Sequence, residues 1–261
     1  MQARQSRGPW LWPLLLAGVG VVLLLDNFLL LGDFDASLLW PLILVVLGAQ
    51  ILLQGDLLPI RHGKTFGITR GSVEAAAIEI SAGEIDVNVR ALRREGRLIA
   101  GQFAADSRPQ MQVQDTQANI RMDRAATPWL SFVDWELGLA QDLPWQMYIS
   151  TSLGQVQLDL SEIIVQNIVT ATGFGDIRLT CPYEALGSIQ LHSTLGTIQV
   201  ITPHGYNVRV VTRESTFFGV HVDPNRYVQV EPDVYLAHDA YEDAPLVEVH
   251  LTGTFGDAYL A

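Results

Sequence analysis

The chain has 261 residues, 16 Lys and Arg against 28 Asp and Glu, a formal net charge of −12 and one cysteine. An acidic excess of that size excludes nucleic acid as a partner, because affinity there comes largely from neutralising phosphates, and it should hold the acidic part away from an anionic lipid surface. A single cysteine excludes an intramolecular disulfide and a cysteine-built zinc site.

The charge is divided along the chain. Up to Arg70 there are Arg4, Arg7, Arg61, Lys64 and Arg70 against Asp26, Asp33, Asp35 and Asp56, and the excess acid lies beyond Gly71. Residues 1–60 read as a transmembrane helical hairpin with spans at about 10–31 and 38–58. Trp10–Leu25 continues through Phe28–Leu31, and Leu38–Leu53 follows after a short acidic loop. A span takes ~20 apolar residues, so the second run needs Leu57 and Leu58 to complete it. Trp12-Pro13-Leu14-Leu15-Leu16 recurs as Trp40-Pro41-Leu42-Ile43-Leu44, with Gly20 matched by Gly48. Proline is tolerated at a helix start and tryptophan favours the membrane interface, which assigns Trp10, Trp12 and Trp40 to that level. A cleaved signal peptide is the alternative, but no small-x-small site follows Leu25. Residues 61–72 form a basic juxtamembrane linker, and the positive-inside bias places both flanks in the cytoplasm and residues 32–37 outside. The expected location is therefore the cell membrane, multi-pass with two spans, with the β domain cytoplasmic.

Residues 73–261 alternate with period two, the signature of strands. Gly83–Val89, Gly154–Leu160, Gly175–Cys181, Gly187–Ser193 and Gly196–Thr202 each read glycine, polar, β-branched, polar, aliphatic. Ile177, Leu179 and Cys181 then face inward, and Asp176, Arg178 and Thr180 outward. Gly154, Gly175 and Gly196 are spaced by 21 residues, and Gly219 follows after 23. Such a period favours a parallel β-helix-like solenoid, in which glycine makes the corner of each coil. An antiparallel β-sandwich would use the same alternation and stays open. Residues 71–149 are less regular and are expected to begin and cap the same domain.

Little in the pattern points to chemistry. The six histidines form no short-spaced metal pair, and no phosphate loop, nucleophile elbow or zincin motif occurs. No catalytic, cofactor or metal residue is assigned. His238-Asp239 with Glu242 and Asp243 is the one His–carboxylate cluster, read as an acidic loop. Outward positions such as Gln155, Gln157, Asp176 and Arg178 are mixed, unlike the clustered carboxylates of a polysaccharide-cleaving coil. The aromatic group Trp129, Phe132, Trp135 and Trp145 reads as a core plug. The alternative is a docking patch in which Trp129, Trp135 and Trp145 act with Phe217 and Phe218, because buried aromatic anchors dominate interfaces.

Two parts of the chain resemble the LiaF-like family of cell-envelope stress (cell wall-active antibiotics response) membrane proteins. The hairpin carries Leu23-Leu-Leu-Asp-Asn27, Leu39-Trp-Pro-Leu-Ile-Leu44 and Gly48. The β part carries Trp135-Glu-Leu-Gly-Leu139, Leu143-Pro-Trp145, Gly154-Gln-Val-Gln-Leu-Asp-Leu-Ser161 and Gly173-Phe-Gly-Asp-Ile-Arg-Leu179. The resemblance implies a two-helix membrane segment, a toast-rack-like β domain and a non-enzymatic role as a negative regulator of a membrane sensor kinase. On this basis the chain is expected to be a membrane-anchored regulator or scaffold working by protein–protein contact, with lipid, an envelope protein and copies of itself as partners. A structural or adhesive envelope protein with its β domain outside is the runner-up, and a carbohydrate-active β-helix enzyme the third reading.

Overall fold

Alternating aliphatic and polar residues become strand after strand in the computed structural model, which describes residues 64–103, 107–124, 134–213 and 215–261. The chain divides between Leu58 and Pro59, and all of these residues belong to the second unit. The expected spans with Trp10, Trp12 and Trp40, and the aromatic residues Trp129 and Phe132, lie outside them. Among the described residues no helix is long and apolar enough to cross a membrane.

The strands are β1 (Lys64–Thr69), β2 (Ala75–Gly83), β3 (Val87–Ala91), β4 (Arg97–Phe103), β5 (Gln110–Gln114) and β6 (Gln117–Asp123). Next come β7 (Trp135–Leu139), β8 (Trp145–Thr151), β9 (Val156–Asp159), β10 (Val165–Phe174) and β11 (Ile177–Thr180). The rest are β12 (Ile189–Ile201), β13 (Asn207–Arg213), β14 (Phe217–Val222), β15 (Tyr227–Glu231), β16 (Val234–Ala237) and β17 (Leu246–Leu260).

Two strands, or the two halves of a long one, make each rung of a parallel stack. Met147 pairs with Ile168 and Ile168 with Ile189 before the corner, while Val156 pairs with Ile177 and Ile177 with Ile198 after it. Each step is the 21-residue period of the sequence, so β8–β9, β10–β11 and β12 form the solenoid-like core. The antiparallel sandwich is thereby set aside.

At both ends the order in space departs from the order in the chain. Ile78 of β2 lies between Ile120 of β6 and Met147 of β8. Val249 of β17 lies between Ile189 of β12 and Val210 of β13. The last strand is thus threaded one place inside the end, where both of its edges are hydrogen-bonded. This corrects the glycine reading: Gly196 is followed in space by Gly256, not by Gly219. Alternation within a strand cannot reveal such an exchange, because it specifies which face is buried and not which strand lies alongside. Antiparallel hairpins β5–β6 and β15–β16 finish the face before the corner, and after the corner β4 pairs antiparallel with β7 and β1 antiparallel with β4.

The inward side chains close over one another as the alternation requires. Ile177, Leu179 and Cys181 are fully buried, along with Val156, Leu158, Ile198 and Val200 on neighbouring rungs. Asp176 and Arg178 face water. Each such aliphatic side chain contributes about 1.5–3 kcal/mol by leaving solvent. Trp135 and Trp145 are enclosed in the same core, and the Trp145 indole N–H donates to the Ala140 carbonyl at 2.8 Å.

Candidate functional site

The corner that joins the two strands of a rung carries one large apolar side chain on each of five successive rungs, and these point outward. Phe174 pairs with Leu195, Leu195 with Phe255, and Phe255 with Phe217. Leu153 precedes Phe174 by one rung, since the Phe174 N–H donates to the carbonyl of Ser152 at 2.8 Å. All five are exposed, Phe255 least at 45% and Phe217 most at 67%. The Phe217 and Phe255 rings stack with centroids 5.3 Å apart and planes 20° from parallel. At ~4.8 Å per parallel step the ridge runs for about 19 Å. With roughly 200 Å² for a side chain of this size, it leaves on the order of 500 Å² of apolar surface in water. That is the upper end of what a soluble monomer exposes, the range in which a patch marks a contact surface.

Local chemistry explains why these side chains are pushed out. Each ridge residue on the middle rungs stands directly before the corner glycine, Gly154, Gly175, Gly196 or Gly256. At Gly175, Gly196 and Gly256 an added Cβ would collide with the carbonyl of the preceding rung, at Gly154, Gly175 and Gly196 respectively. The corner can therefore bend in one direction only, and the residue before it has no interior to enter. Thr151 and Thr172 fasten the bend by donating to the carbonyls of Gly154 and Gly175 at 2.9 and 3.1 Å. On the last rung Phe218 takes the inner position instead, and its ring lies where a Cβ on Gly253 would be.

A second cluster closes the far end of the core. Thr202 shares a hydrogen bond with the Tyr227 hydroxyl and lies 3.7 Å from the Cys181 sulfur. Burial, with Cys181 close by, pushes the Tyr227 phenol far above its usual range, and burial pushes the Cys181 thiol up to about 12. Arg226 donates to the Thr202 carbonyl and, at 3.0 Å, to Asp239. His204 bonds to the same carboxylate oxygen. Burial opposes the charge on Asp239, but the His204 hydrogen bond and the Arg226 charge outweigh it and hold the carboxyl below its usual range. The cluster is a clasp joining the β15–β16 hairpin to the coil.

The residues singled out from sequence divide accordingly. Phe217 lies on the ridge. Trp135, Trp145 and Phe218 are buried, which agrees with the core reading of the two tryptophans and corrects the alternative in which all three dock a partner: inward positions of parallel strands reach no surface. The ridge itself was missed apart from Phe217, although Leu153, Phe174 and Leu195 follow the 21-residue period. Asp239 is paired with His204 and Arg226 rather than with the neighbouring His238.

Stacked parallel rungs with a shared glycine corner and an outward apolar ridge define a parallel β-coil domain. The chain belongs to the family described as the N-terminal domain of toast_rack, DUF2154, which matches residues 61–199. A candidate cell adhesion protein from Clostridium sporogenes shares the fold, with a TM-score of 0.64 over 76% of this chain and 98% of its own, at 15% identity. A candidate adhesin from Bacteroides fragilis aligns over 78% of this chain and 99% of its own, at 11% identity and a TM-score of 0.31. No curated protein matches the chain.

Proposed function

We propose that the chain is a non-enzymatic, membrane-anchored binding protein of the bacterial cell envelope that acts by protein–protein contact along the corner ridge. The observation that carries this reading is the unbroken file of Leu153, Phe174, Leu195, Phe255 and Phe217. A file of that length matches an apolar helix face or strand of a partner, and covering it removes about 25 cal/mol per Å² of unfavourable hydration. The clasp at Asp239 and the sealed thiol of Cys181 have structural uses, which leaves neither as a reaction centre. Regulation of a membrane sensor kinase is the version of this role implied by the likeness of the hairpin and the β part to LiaF-like proteins.

The direct test places a photo-reactive phenylalanine analogue at Phe174 or Phe217 of the full chain in cells, with Arg178 on the outer face of β11 as the control position. Crosslinks are expected at the ridge and not at the control. Equal yields at all three positions would remove the ridge from the reading.

An adhesive role outside the cell is the second reading, favoured by the fold shared with the Clostridium sporogenes protein. The side of the membrane separates the two. Single cysteines at Ser37 and Glu242 in a Cys181→Ala background are labelled on intact cells with an impermeant reagent. Labelling of Ser37 alone supports regulation from the cytoplasm, and labelling of Glu242 supports adhesion.

A further inference from the structure

Positive charge is gathered at the opposite end of the stack from the Asp239 clasp. Arg90, Arg94 and Arg97 line a groove of about 660 Å³ across β1, β3, β4 and β7, and Glu136 is the one acidic residue on its walls. A row of residues crosses these strands in register: Gly67 on β1, Ala100 on β4, Gly138 on β7 and Arg90 on β3. Three small residues side by side leave bare backbone, which gives the groove its depth. The Arg97 guanidinium lies across Gly67, in the space that a Cβ there would occupy.

These cations are largely unspent. Arg90 lies 3.5 Å from Glu136, and the Arg94 and Arg97 guanidinium groups have no ion pair or hydrogen bond among the described residues. A neighbouring groove shares Arg94 and Arg97 and adds Arg70 and Arg93 together with Glu95, Asp142 and Glu162, with Arg70 paired to Asp142, so the excess of positive charge belongs to the first groove alone. In a chain with a net charge of −12, three guanidinium groups around one carboxylate are a local reversal of sign. Such a site draws anions into the groove while the remaining surface repels them.

We infer that this groove binds a phosphate ester of a small polyol, a chemistry shared by lipid headgroups and soluble glycerol or sugar phosphates. Planar guanidinium forks match the paired oxygens of a phosphate. Three of them against Glu136 leave an excess of two positive charges, enough for either the dianion of a soluble phosphomonoester or the monoanion of a lipid phosphodiester. Thr65 and Gln102 on the same walls supply uncharged donors and acceptors for hydroxyl groups. The groove is made by other strands than the corner ridge, so the inference stands apart from the contact role proposed above. It also sets a local exception to the repulsion expected between the acidic part and an anionic lipid surface.

The test uses the full chain in a nonionic detergent and phosphate-free buffer, titrated with glycerol 3-phosphate and, as a control, glycerol. Saturable binding of the phosphate ester alone is expected, weakening as salt is raised. Arg90→Gln/Arg94→Gln/Arg97→Gln should weaken it roughly tenfold or more. Gly67→Leu keeps the charge but displaces the Arg97 guanidinium, and should weaken binding to a similar extent. If the triple variant fails to fold, Arg94→Gln alone serves, because its side chain is exposed. Adding phosphatidylglycerol to the micelles distinguishes the sources. Competition assigns the groove to lipid headgroups, and unchanged affinity assigns it to soluble esters. The inference is overturned by absence of saturable binding, by binding unchanged in the arginine variants, or by full binding in Gly67→Leu, which would reduce the effect to diffuse attraction.

Discussion

Gly196 lies directly on Gly175, with no room between its Cα and the Gly175 carbonyl for a side chain, and Gly256 lies on Gly196 in the same way. This contact sets the rung spacing at the corner, and it separates the glycines that the coil needs from those that merely share its period. Gly256 occupies the next step of the ladder, although it is 60 residues on in the chain. At Gly219 a Cβ would meet the Asp257 carboxylate at 2.9 Å, a side chain that can move aside. Gly196→Ala and Gly256→Ala should therefore each cost about 2–4 kcal/mol, combining overlap with the strain of a positive φ. Gly219→Ala should cost less than ~1 kcal/mol. Denaturant titration of the three variants checks this. A Gly219 variant weaker than the Gly256 variant would contradict the threaded order of the last rungs.

Phe217 and Phe218 are neighbours in the chain with opposite duties. Phe217 stands on the ridge, while Phe218 is buried over Gly253. Phe218→Ala should cost about 3–5 kcal/mol, the usual penalty for emptying a core aromatic site. Phe217→Ala should change stability by less than ~1 kcal/mol and lower the yield of the crosslink made from the analogue at Phe174. Unfolding curves for the pair decide the matter, and equal losses would mean that the ridge side chain is a structural support.

Part of this organisation was legible in the residues. The inward face of β11 and the 21-residue rungs follow from Gly154, Gly175 and Gly196, because strand alternation and coil period both repeat within the chain. The end rungs were not legible. Ile78 finds partners 42 and 69 residues away, at Ile120 and Met147, and no local pattern encodes which of several similar strands will lie alongside. Residue type left a core and a docking use both open for Trp135 and Trp145, because tryptophan is as well suited to a core as to an interface. The ridge was written in the sequence as an apolar residue before each corner glycine, but outward direction follows only once the corner exists.

The Asp239 clasp predicts acid sensitivity of one end of the domain. Its carboxyl is held below the usual range by His204 and Arg226 against the cost of burial. A group with a depressed folded pKa adds stability at pH above its unfolded value, near ~3.9, and that stability is lost as pH falls through the folded value. The difference in denaturation midpoint between the native chain and Asp239→Asn should be full at pH 6 and shrink below pH 4. A difference that stays constant with pH would mean the carboxylate charge contributes nothing to the clasp.

Cys181 offers a clock for opening of the stack. Its sulfur is fully buried, it directly follows β11, and β11 is paired on both sides, to β9 and β12. Burial pushes the thiol up to about 12, and the thiolate is the form that attacks a disulfide reagent. Native protein should therefore be inert to an aromatic disulfide at pH 8 while unfolded protein reacts at once. With excess reagent, modification should follow the unfolding rate and become independent of reagent concentration. Gly196→Ala should speed it, because the same rungs must part to expose the sulfur. Phe217→Ala should leave it unchanged. A rate proportional to reagent at all concentrations in the native chain would show that the thiol is reached by local fluctuation, and the parallel core would then be looser than its pairing on both sides requires.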